Sequence, residues 1–366
     1  MKTTPRPAGA VRTAEARSPD PTTHRRVKVA LGDRSYSVHI GPGVRHGLAD
    51  AVERLGARRA VMVSARPPEW NPESGVPTLL LASRDGEPDK TLATVGELCR
   101  RFAGYGLTRD DVVISVGGGT TTDAVGLAAA LFHRGVPVIH LPTTLLAQVD
   151  GSIGGKTAVN LPEGKNLVGT YWQPAAVFCD TDYLETLPPR ERTNGYGEIA
   201  RCQFIGAGDL RGLPLHDQIF ASVSRKAEIV TADERDTGLR HLLNYGHTLG
   251  HALEAATDFA LRHGEAVAIG TVFAGRLAGA LGRIGEARVA EHLQVVEDYG
   301  LPTKLPMTLD IAGAIALMRL DKKATTGLSF VLDGPRGAEL VRDVPAATVA
   351  DCLAAMPRQT YEFPES

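Results

Sequence analysis

The segment NYGHTLGHALE places two histidines and a carboxylate at helical spacing, a combination that can bind a metal ion. His247 and His251 are four residues apart, and Glu254 follows one turn later. Residues four apart lie on one face of a helix, with their Cβ atoms roughly 6 Å apart. Spacing alone makes both imidazoles candidate ligands. A lone histidine on a helix is more often packed or solvated, so the metal interpretation depends on ligands elsewhere in the chain.

A glycine run supplies a candidate nucleotide site. Gly117–Gly119 follow the apolar segment VVISV and precede an alanine-rich helical pattern. In a strand-turn-helix unit, the N–H groups of the turn and of the helix N-terminus can face a phosphate. Asp123 lies one turn into this predicted helix, within reach of a bound nucleotide. Tight turns also need glycine, and the GxGxxG fingerprint is absent, so the pattern favours a nucleotide without specifying a standard dinucleotide motif.

A second glycine-rich segment, DGSIGGKTAVNLPEGKNLVG, contains Asp150, Lys156, Lys165 and Asn166. It could be a solvated loop. It is also flanked by apolar strands, and its lysines lie beside glycines as an anion site requires. Arg134, upstream in the segment HRG, adds a further cation that could bind phosphate.

Four more charged or metal-binding candidates lie in the second half of the chain. Glu198 belongs to a predicted helix, Lys226 and Arg240 flank the segment AEIVTADERDTG, and His263 directly precedes another helix. For the charged residues, an exposed salt bridge is the ordinary alternative.

The elements that must position these residues change character near Pro188–Pro189. Before that point, apolar strand patterns alternate with helical ones, which predicts an α/β nucleotide-binding domain with a Rossmann-like parallel sheet and helices on its faces. After it, helical periodicity predominates, which predicts an all-α domain. We therefore predict a disordered tail over 1–26, an α/β nucleotide-binding domain over 27–187 and a helical domain over 188–366.

Composition limits the class of function. The chain has 366 residues and a formal net charge of −2, so it lacks the basic field typical of nucleic-acid or membrane-surface binding, and neither partner is expected. The four cysteines are scattered, which argues against a disulfide framework or a thiolate zinc site and favours a reducing cytoplasm. The N-terminal segment has no apolar region typical of a secretory signal, and no apolar run approaches the length of a membrane span.

Six segments, taken in their order along the chain, together resemble the sugar phosphate cyclase superfamily, whose best-known member is 3-dehydroquinate synthase. They are DGEPDK, GGGTTTDAVG, HRGVPVIHLPTTLLAQVDGSIGGKTAVN, GKNLVG, LNYGHTLGHALE and RHGEAVAIG. The resemblance implies a homodimeric enzyme that uses NAD and one divalent metal, zinc or cobalt, to turn a sugar acid phosphate into a carbocycle with loss of phosphate and no net redox change.

Carried over residue by residue, the resemblance assigns roles to most of these candidates. The implied metal ligands are Glu198, His247 and His263, so His251 becomes a polar group that faces the substrate. The implied NAD contacts are Glu87, Lys90, Gly118, Gly119, Asp123, Thr143, Thr144 and Lys165. The implied substrate pocket contains Asp150, Lys156, Asn166, Lys226, Arg240, Asn244 and His251. Of these, Asp150, Lys156, Asn244 and His251, together with Arg201, are the expected catalytic residues. Arg134 is expected to reach the phosphate from the partner subunit, and Lys322 and Lys323 are the nearest candidates for a C-terminal phosphate site, although a solvated pair remains the alternative.

The presence of both Lys226 and Arg240 indicates a substrate that carries a carboxylate beside its phosphate. Two types of enzyme then remain: 3-dehydroquinate synthase, which acts on 3-deoxy-arabino-heptulosonate 7-phosphate (DAHP), and aminodehydroquinate synthase, which converts 4-amino-4-deoxy-DAHP (aminoDAHP) to 5-deoxy-5-amino-3-dehydroquinate in 3-amino-5-hydroxybenzoate and antibiotic biosynthesis. Two departures favour the amino type. Arg201 stands where the hydroxy enzymes have a lysine. The planar guanidinium group of arginine is not equivalent to the compact ammonium group of lysine, so this is not a conservative difference. The segment SARPPEW also lacks the usual acidic ribose contact, and the sequence between the flanking strands is too short for the helix normally found there.

Two other classes of protein remain as alternatives. A metal-dependent polyol dehydrogenase would bind NAD and metal but would not need paired cations for phosphate and carboxylate. A non-catalytic binding protein with the same fold would be expected to have lost a ligand or an anion-site cation, whereas all of them are present in this sequence.

Overall fold

The computed structural model describes residues 23–84, 86–320 and 327–362. Its strands are β1 Arg25–Val29, β2 Tyr36–Gly41, β3 Ala60–Ser64, β4 Thr78–Ala82, β5 Val112–Gly117, β6 Val138–Pro142, β7 Lys156–Leu161, β8 Gly164–Tyr171, β9 Ala176–Asp180, β10 Leu305–Pro306, β11 Leu328–Leu332, β12 Glu339–Val344 and β13 Arg358–Gln359. Its α-helices are α1 Leu48–Arg54, α2 Leu92–Tyr105, α3 Gly119–Leu131, α4 Pro189–Cys202, α5 Leu215–Ala232, α6 His247–Ala256, α7 His263–Ala280, α8 Glu286–Asp298, α9 Ile311–Leu320 and α10 Ala346–Ala354.

Seven strands form the main sheet, in the order β1-β2-β9-β6-β5-β3-β4. Only the β1–β2 pair is antiparallel, and the other neighbours run parallel. From β3, the chain adds β4 on one side and then returns to β5 on the other. Ligands of such sheets bind beyond the carboxyl ends of the strands, where the strand order reverses. The glycine run after β5 lies in this position, so the predicted α/β nucleotide-binding fold is confirmed.

Apolar residues explain why this sheet is buried on both faces. Every residue of β3, β5, β6 and β9 is buried, as expected for central parallel strands with covered faces. One apolar cluster lies on the side of the sheet that carries α1, and another lies beneath α2 and α3. The connection between β3 and β4 contains only a short 3₁₀ turn, Pro68–Trp70, so the predicted loss of a helix there is confirmed.

The C-terminal part is helical, as predicted, but it is not wholly helical. β10 pairs with β13 and β11 pairs with β12, forming two small two-stranded sheets beside the helices. β10 and β13 have two residues each, too few for a periodic pattern in the sequence. The "all-α" description therefore needs this correction.

The two parts of the chain share their largest apolar core. Val27 and Val38, from the first two strands, belong to the same buried cluster as Leu249 and Ile269, from α6 and α7. β1 begins at Arg25, so two residues within the range 1–26 assigned to a tail are in fact strand residues. Residues 1–22 lie outside the described residues, and so do Lys322 and Lys323. None of the helices in the described ranges is both long enough and apolar enough to cross a lipid bilayer.

Candidate metal and substrate site

Three helices bring together the predicted ligands Glu198, His247 and His263. Glu198 lies near the end of α4, while each histidine is the first residue of its helix, α6 or α7. One potential ligand atom from each residue lies within 4.8 Å of the others. Both imidazole Nε2 atoms are 3.4 Å from the same oxygen, Oε1 of Glu198. That oxygen is buried and accepts no hydrogen bond within the described ranges. One carboxylate and two imidazoles around such an oxygen suit a divalent metal with open positions.

Glycines allow the three helices to approach this closely. A Cβ on Gly197 would overlap the carbonyl group of Gly264, so α4 and α7 touch through their backbones. This contact places Glu198 beside His263, since each is the chain neighbour of one of these glycines. Gly246 has φ of +78° and its Cβ position is 2.6 Å from Thr271 Oγ1, so this turn, which precedes His247, also favours glycine.

Arg201 is the immediate counter-charge of Glu198. Its Nε and Nη2 groups both lie 2.6 Å from Oε2 of Glu198, and its side chain is only 1% exposed. Burial opposes ionisation of Glu198, but the positive charge of Arg201 outweighs it, with a contribution from His247, and holds the carboxyl pKa well below its ordinary value. Arg201 thus occupies one carboxylate oxygen and leaves the other to the histidines.

The two candidate histidine ligands have opposite electrostatic environments. Burial lowers the pKa of His247 to about 3, despite the attraction of Glu198. Burial also opposes protonation of His263, but the nearby carboxylates of Glu198 and Glu254 outweigh burial and raise its pKa to about 10. A metal ion bound at Nε2 of His263 would compete with protonation of that nitrogen.

His251 lies on the same side of α6 as His247, with ring centroids 5.3 Å apart. It forms a second potential metal group with Glu254 and His263, again with atoms within 4.8 Å of one another. The question raised by the histidine spacing is therefore a choice between two groups that share His263. The group formed by Glu198, His247 and His263 is favoured, because Glu198 Oε1 faces the Nε2 atoms of both its histidines.

A cluster of cations lies beside this centre. Lys226 is buried and its Nζ donates to both the main-chain oxygen and Oδ1 of Asp150, each at 2.7 Å. Burial lowers the Lys226 pKa, and Asp150 opposes this shift. Asp150 Oδ1 is also 3.6 Å from Arg201 Nη2. Asn244, the last residue of a 3₁₀ turn, lies three positions before His247.

Arg240 forms hydrogen bonds to main-chain carbonyl groups that its charge alone did not predict. Its guanidinium donates to the carbonyl oxygens of Gly154 and Glu234, at 2.8 and 2.6 Å. Its Nε is buried and has no hydrogen-bond partner in the described part of the chain. Lys156, at the start of β7, is half exposed and forms an ion pair with Asp236 at 2.5 Å.

The predicted NAD contacts gather at the carboxyl end of the sheet. Gly118 and Gly119 start α3, and Thr143 N donates to the Gly117 carbonyl group at 2.9 Å. A Cβ on Gly119 would have no neighbour within 4 Å in the described chain beyond its own helix, so there is open space beside the first residue of α3. Thr144 caps the next turn by accepting a hydrogen bond from Ala147 N at 3.2 Å. An open helix N-terminus suits the pyrophosphate of a dinucleotide.

Five other predicted residues form polar contacts near this opening. Lys90 Nζ is 2.5 Å from both Asp123 Oδ2 and Asn166 Oδ1. Burial raises the pKa of Asp123 to about 6, although Lys90 opposes the shift. Lys165 Nζ lies 3.8 Å from Glu87 Oε1. Asn166, predicted for the substrate pocket, thus contacts Lys90, a predicted NAD contact.

Arg134 lies away from the glycine turn of its own chain. It is exposed and follows the C-terminal end of α3, whereas Gly118 and Gly119 are at the N-terminal end. Thirteen helical residues separate these ends by about 20 Å. Its expected role in a partner subunit stays a prediction, as do the roles of the other site residues.

Three residues near the site were not predicted. Glu254 contacts His263, Asp236 pairs with Lys156, and Arg66 donates to Thr143 Oγ1 at 2.8 and 2.9 Å. Arg66 belongs to the segment SARPPEW, where the usual acidic contact is missing. Glu254 was visible in the sequence, three residues after His251 on a predicted helix, but no role was assigned to it.

Comparison with known proteins identifies the family. Residues 80–194 match the family described as 3-dehydroquinate synthase N-terminal, and residues 198–324 match 3-dehydroquinate synthase C-terminal. The chain belongs to the 3-dehydroquinate synthase family. A protein of Amycolatopsis mediterranei (strain S699), provisionally named aminodehydroquinate synthase, is 70% identical over 92% of this chain and 96% of its own length. A 3-dehydroquinate synthase of Bradyrhizobium diazoefficiens is 41% identical over 93% of this chain and 98% of its own.

Solved structures of cyclases have the same fold as this member of the 3-dehydroquinate synthase family. A 2-deoxy-scyllo-inosose synthase complexed with carbaglucose-6-phosphate, NAD⁺ and Co²⁺ is 27% identical, covering 91% of this chain and 100% of its own, with a TM-score of 0.80. A 2-epi-5-epi-valiolone synthase from Streptomyces hygroscopicus subsp. jinggangensis 5008, with NAD⁺ and Zn²⁺ bound, is 28% identical, covering 89% and 97%, with a TM-score of 0.76. The recognised superfamily and the two-part architecture are confirmed.

Proposed function

We propose that this enzyme is an NAD- and divalent-metal-dependent carbon–oxygen lyase that converts aminoDAHP to 5-deoxy-5-amino-3-dehydroquinate. The observation that carries the proposal is the buried Arg201–Glu198 pair beside two histidines, in a chain 70% identical to a provisionally named aminodehydroquinate synthase. Arginine at this position was one of the two sequence departures that favour the amino substrate.

The residues present fit both expected cofactors. Glu198, His247 and His263 would hold zinc or cobalt, because a buried carboxylate oxygen without a hydrogen-bond partner faces two imidazole nitrogens. The open N-terminus of α3 would hold the NAD pyrophosphate, with Asp123, Lys90 and the other predicted contacts around it. When bound, NAD supplies reversible hydride transfer and the metal supplies Lewis-acid polarisation of a substrate oxygen.

The protein's own side chains account for substrate binding. Lys226 and Arg240 offer two buried cations for a carboxylate, and the Nε of Arg240 has no competing partner among the described residues. Lys156 and Asn166 lie on the β7–β8 hairpin, where they can bind phosphate together with a partner subunit's Arg134. In this proposal His251, whose ring centroid is 5.3 Å from that of His247, holds or moves a proton at a substrate hydroxyl. Holding all these groups in one geometry reduces the entropic cost of the intramolecular ring closure.

A competition assay tests the substrate. The purified enzyme, with NAD and metal, receives DAHP and aminoDAHP together, and products are separated by mass while phosphate release is followed. A mispaired buried polar group costs about 1–3 kcal/mol, so we expect at least about tenfold preference in kcat/KM for the amino substrate. Preference for DAHP would instead identify an ordinary 3-dehydroquinate synthase, the second candidate. Accumulation of NADH in proportion to product would identify a dehydrogenase.

We also propose a cytoplasmic homodimer in which Arg134 completes the partner's site. Arg134→Ala and His263→Ala variants should each be inactive alone. Mixed dimers should regain activity, since one of their two sites has both an intact metal centre and an intact Arg134 from its partner. Lack of complementation in verified mixed dimers would contradict this arrangement.

A further inference from the structure

We propose that Glu254 is a positioning residue that fixes the ring of His263 for metal binding, and this inference rests on the proposed function. Glu254 belongs to α6 and is 6% exposed. It is not among the predicted ligands or substrate contacts, so its buried carboxylate needs another explanation.

The His263 ring lies between two carboxylates from different helices. Its Nε2 is 3.4 Å from Glu198 Oε1, and its Nδ1 is 3.0 Å from Glu254 Oε2. An imidazole binds metal through one nitrogen while its other N–H donates to a carboxylate, which fixes both the tautomer and the ring orientation. Glu254 occupies the second of these positions, so Nε2 is the nitrogen that faces the candidate metal centre.

The second oxygen of Glu254 has its own partner. Lys165 Nζ lies 3.5 Å from Glu254 Oε1 and 3.8 Å from Glu87 Oε1. The Lys165 ammonium group also lies 3.9 Å from the centroid of the Phe259 ring. Lys165 comes from β8, so this ion pair joins the nucleotide-binding part of the chain to the carboxylate that holds His263.

The competing interpretation makes Glu254 a ligand itself, with His251 and His263. Both carboxylate oxygens of Glu254 already have nitrogen partners, whereas Oε1 of Glu198 faces two Nε2 atoms and accepts no hydrogen bond from the described chain. Binding metal in the second group would also use Nδ1 of His263 and leave its Nε2 against Glu198. The arrangement therefore favours Glu254 as the residue that orients a ligand.

Cobalt titration of the metal-free protein tests this role. Affinity, stoichiometry and the visible absorption of bound Co²⁺ are measured for wild type, Glu254→Ala, Glu254→Gln and the matched control Glu97→Ala, which removes an exposed carboxylate. Loss of a carboxylate that orients a ligand histidine typically weakens metal binding by about 10–100-fold. We expect such a loss for Glu254→Ala, with one ion still bound at saturation. Glu254→Gln should lie between, because an amide oxygen still accepts from Nδ1–H, and Glu97→Ala should match wild type.

Two results would overturn the proposal. Glu254→Ala and Glu254→Gln binding Co²⁺ within about twofold of wild type would show that the carboxylate does not orient His263, since the expected loss is at least about tenfold. Complete loss of stoichiometric Co²⁺ binding in both variants, with His247→Ala still binding, would make Glu254 a ligand. His263→Ala distinguishes these failures from failure of the proposed function: if it also keeps full affinity, the assigned metal centre itself is wrong.

Discussion

Replacing Arg201 tests whether its guanidinium is the counter-charge that keeps the predicted ligand Glu198 ionised. Two N–H groups of Arg201 lie 2.6 Å from one oxygen of this carboxylate, and the pair is almost entirely buried. Methionine removes the charge but keeps an apolar chain of similar length. Lysine keeps the charge but cannot form the two-pronged contact. The two variants therefore separate charge from geometry.

The cost of Arg201→Met can be bounded. Removing one partner of a buried ion pair typically costs about 3–5 kcal/mol, because the other charge is left uncompensated. Glu198 can limit this cost by taking up a proton. From its ordinary pKa of 4.5, protonation at pH 7 costs about 3.4 kcal/mol, at about 1.36 kcal/mol per pKa unit. We therefore expect Arg201→Met to lower the free energy of unfolding by about 3 kcal/mol at pH 7. At pH 5, where Glu198 is protonated more easily, we expect a decrease of about 1 kcal/mol.

Urea unfolding of metal-free wild type, Arg201→Met and Arg201→Lys, followed by two spectroscopic probes, measures these losses. Lysine should cost less than methionine at pH 7. Arg211→Met is the control, since Arg211 pairs with partly exposed acids and should cost at most about 1 kcal/mol. A pH-independent loss for Arg201→Met, or one no larger than that of the control, would refute the counter-charge argument.

Three further predictions concern metal, substrate and acid stability. His263→Ala should lose its metal in elemental analysis and its activity, whereas His251→Ala should keep the metal; the reverse pattern would favour the second metal group. Arg240→Ala should weaken substrate binding by one to two decades, from about 1.5–3 kcal/mol per charge-assisted bond, with NAD affinity unchanged in calorimetry; equal loss of both would indicate a mainly structural role. Burial lowers the pKa of His140 to about 4. As the pH falls from about 6.5 towards 4, the unfolded state therefore binds a proton before the folded state does. The free energy of unfolding should decrease by about 1.5 kcal/mol between pH 6.5 and 5 for this reason. His140→Gln should reduce this slope in urea titrations, and an unchanged slope would show that His140 is not its source.

Local patterns made the fold predictable where elements are long or continuously apolar. The central strands β5 and β6 were visible as apolar runs, and α6 and α7 as helical repeats. By contrast, β10 and β13 pair across about fifty residues of chain with only two residues each, so no local pattern encodes them. Strand order has the same limit, because it depends on which distant segments pack together.

The sequence predicted which residues belong to the candidate site better than it predicted which partners those residues contact. The motifs supplied Glu198, His247 and His263 through family resemblance, whereas spacing alone favoured His251. The backbone contact that brings α4 to α7 depends on two glycines about seventy residues apart, and nothing in either segment alone reveals it. The partners of Glu254 and Arg240 likewise depend on the folded geometry.

The acid partners of the substrate-binding cations bear on substrate choice. Lys226 pairs with Asp150, and Lys156 pairs with Asp236, which fits a chain whose net charge is −2. An incoming carboxylate or phosphate must compete with Asp150 for Lys226 and with Asp236 for Lys156. The positive charge of these lysines is therefore not enough by itself to bind any anion. In the structure Asp150 is already engaged by Lys226 at 2.7 Å and lies 3.6 Å from Arg201, so it is the acid that an incoming substrate anion would compete with at Lys226.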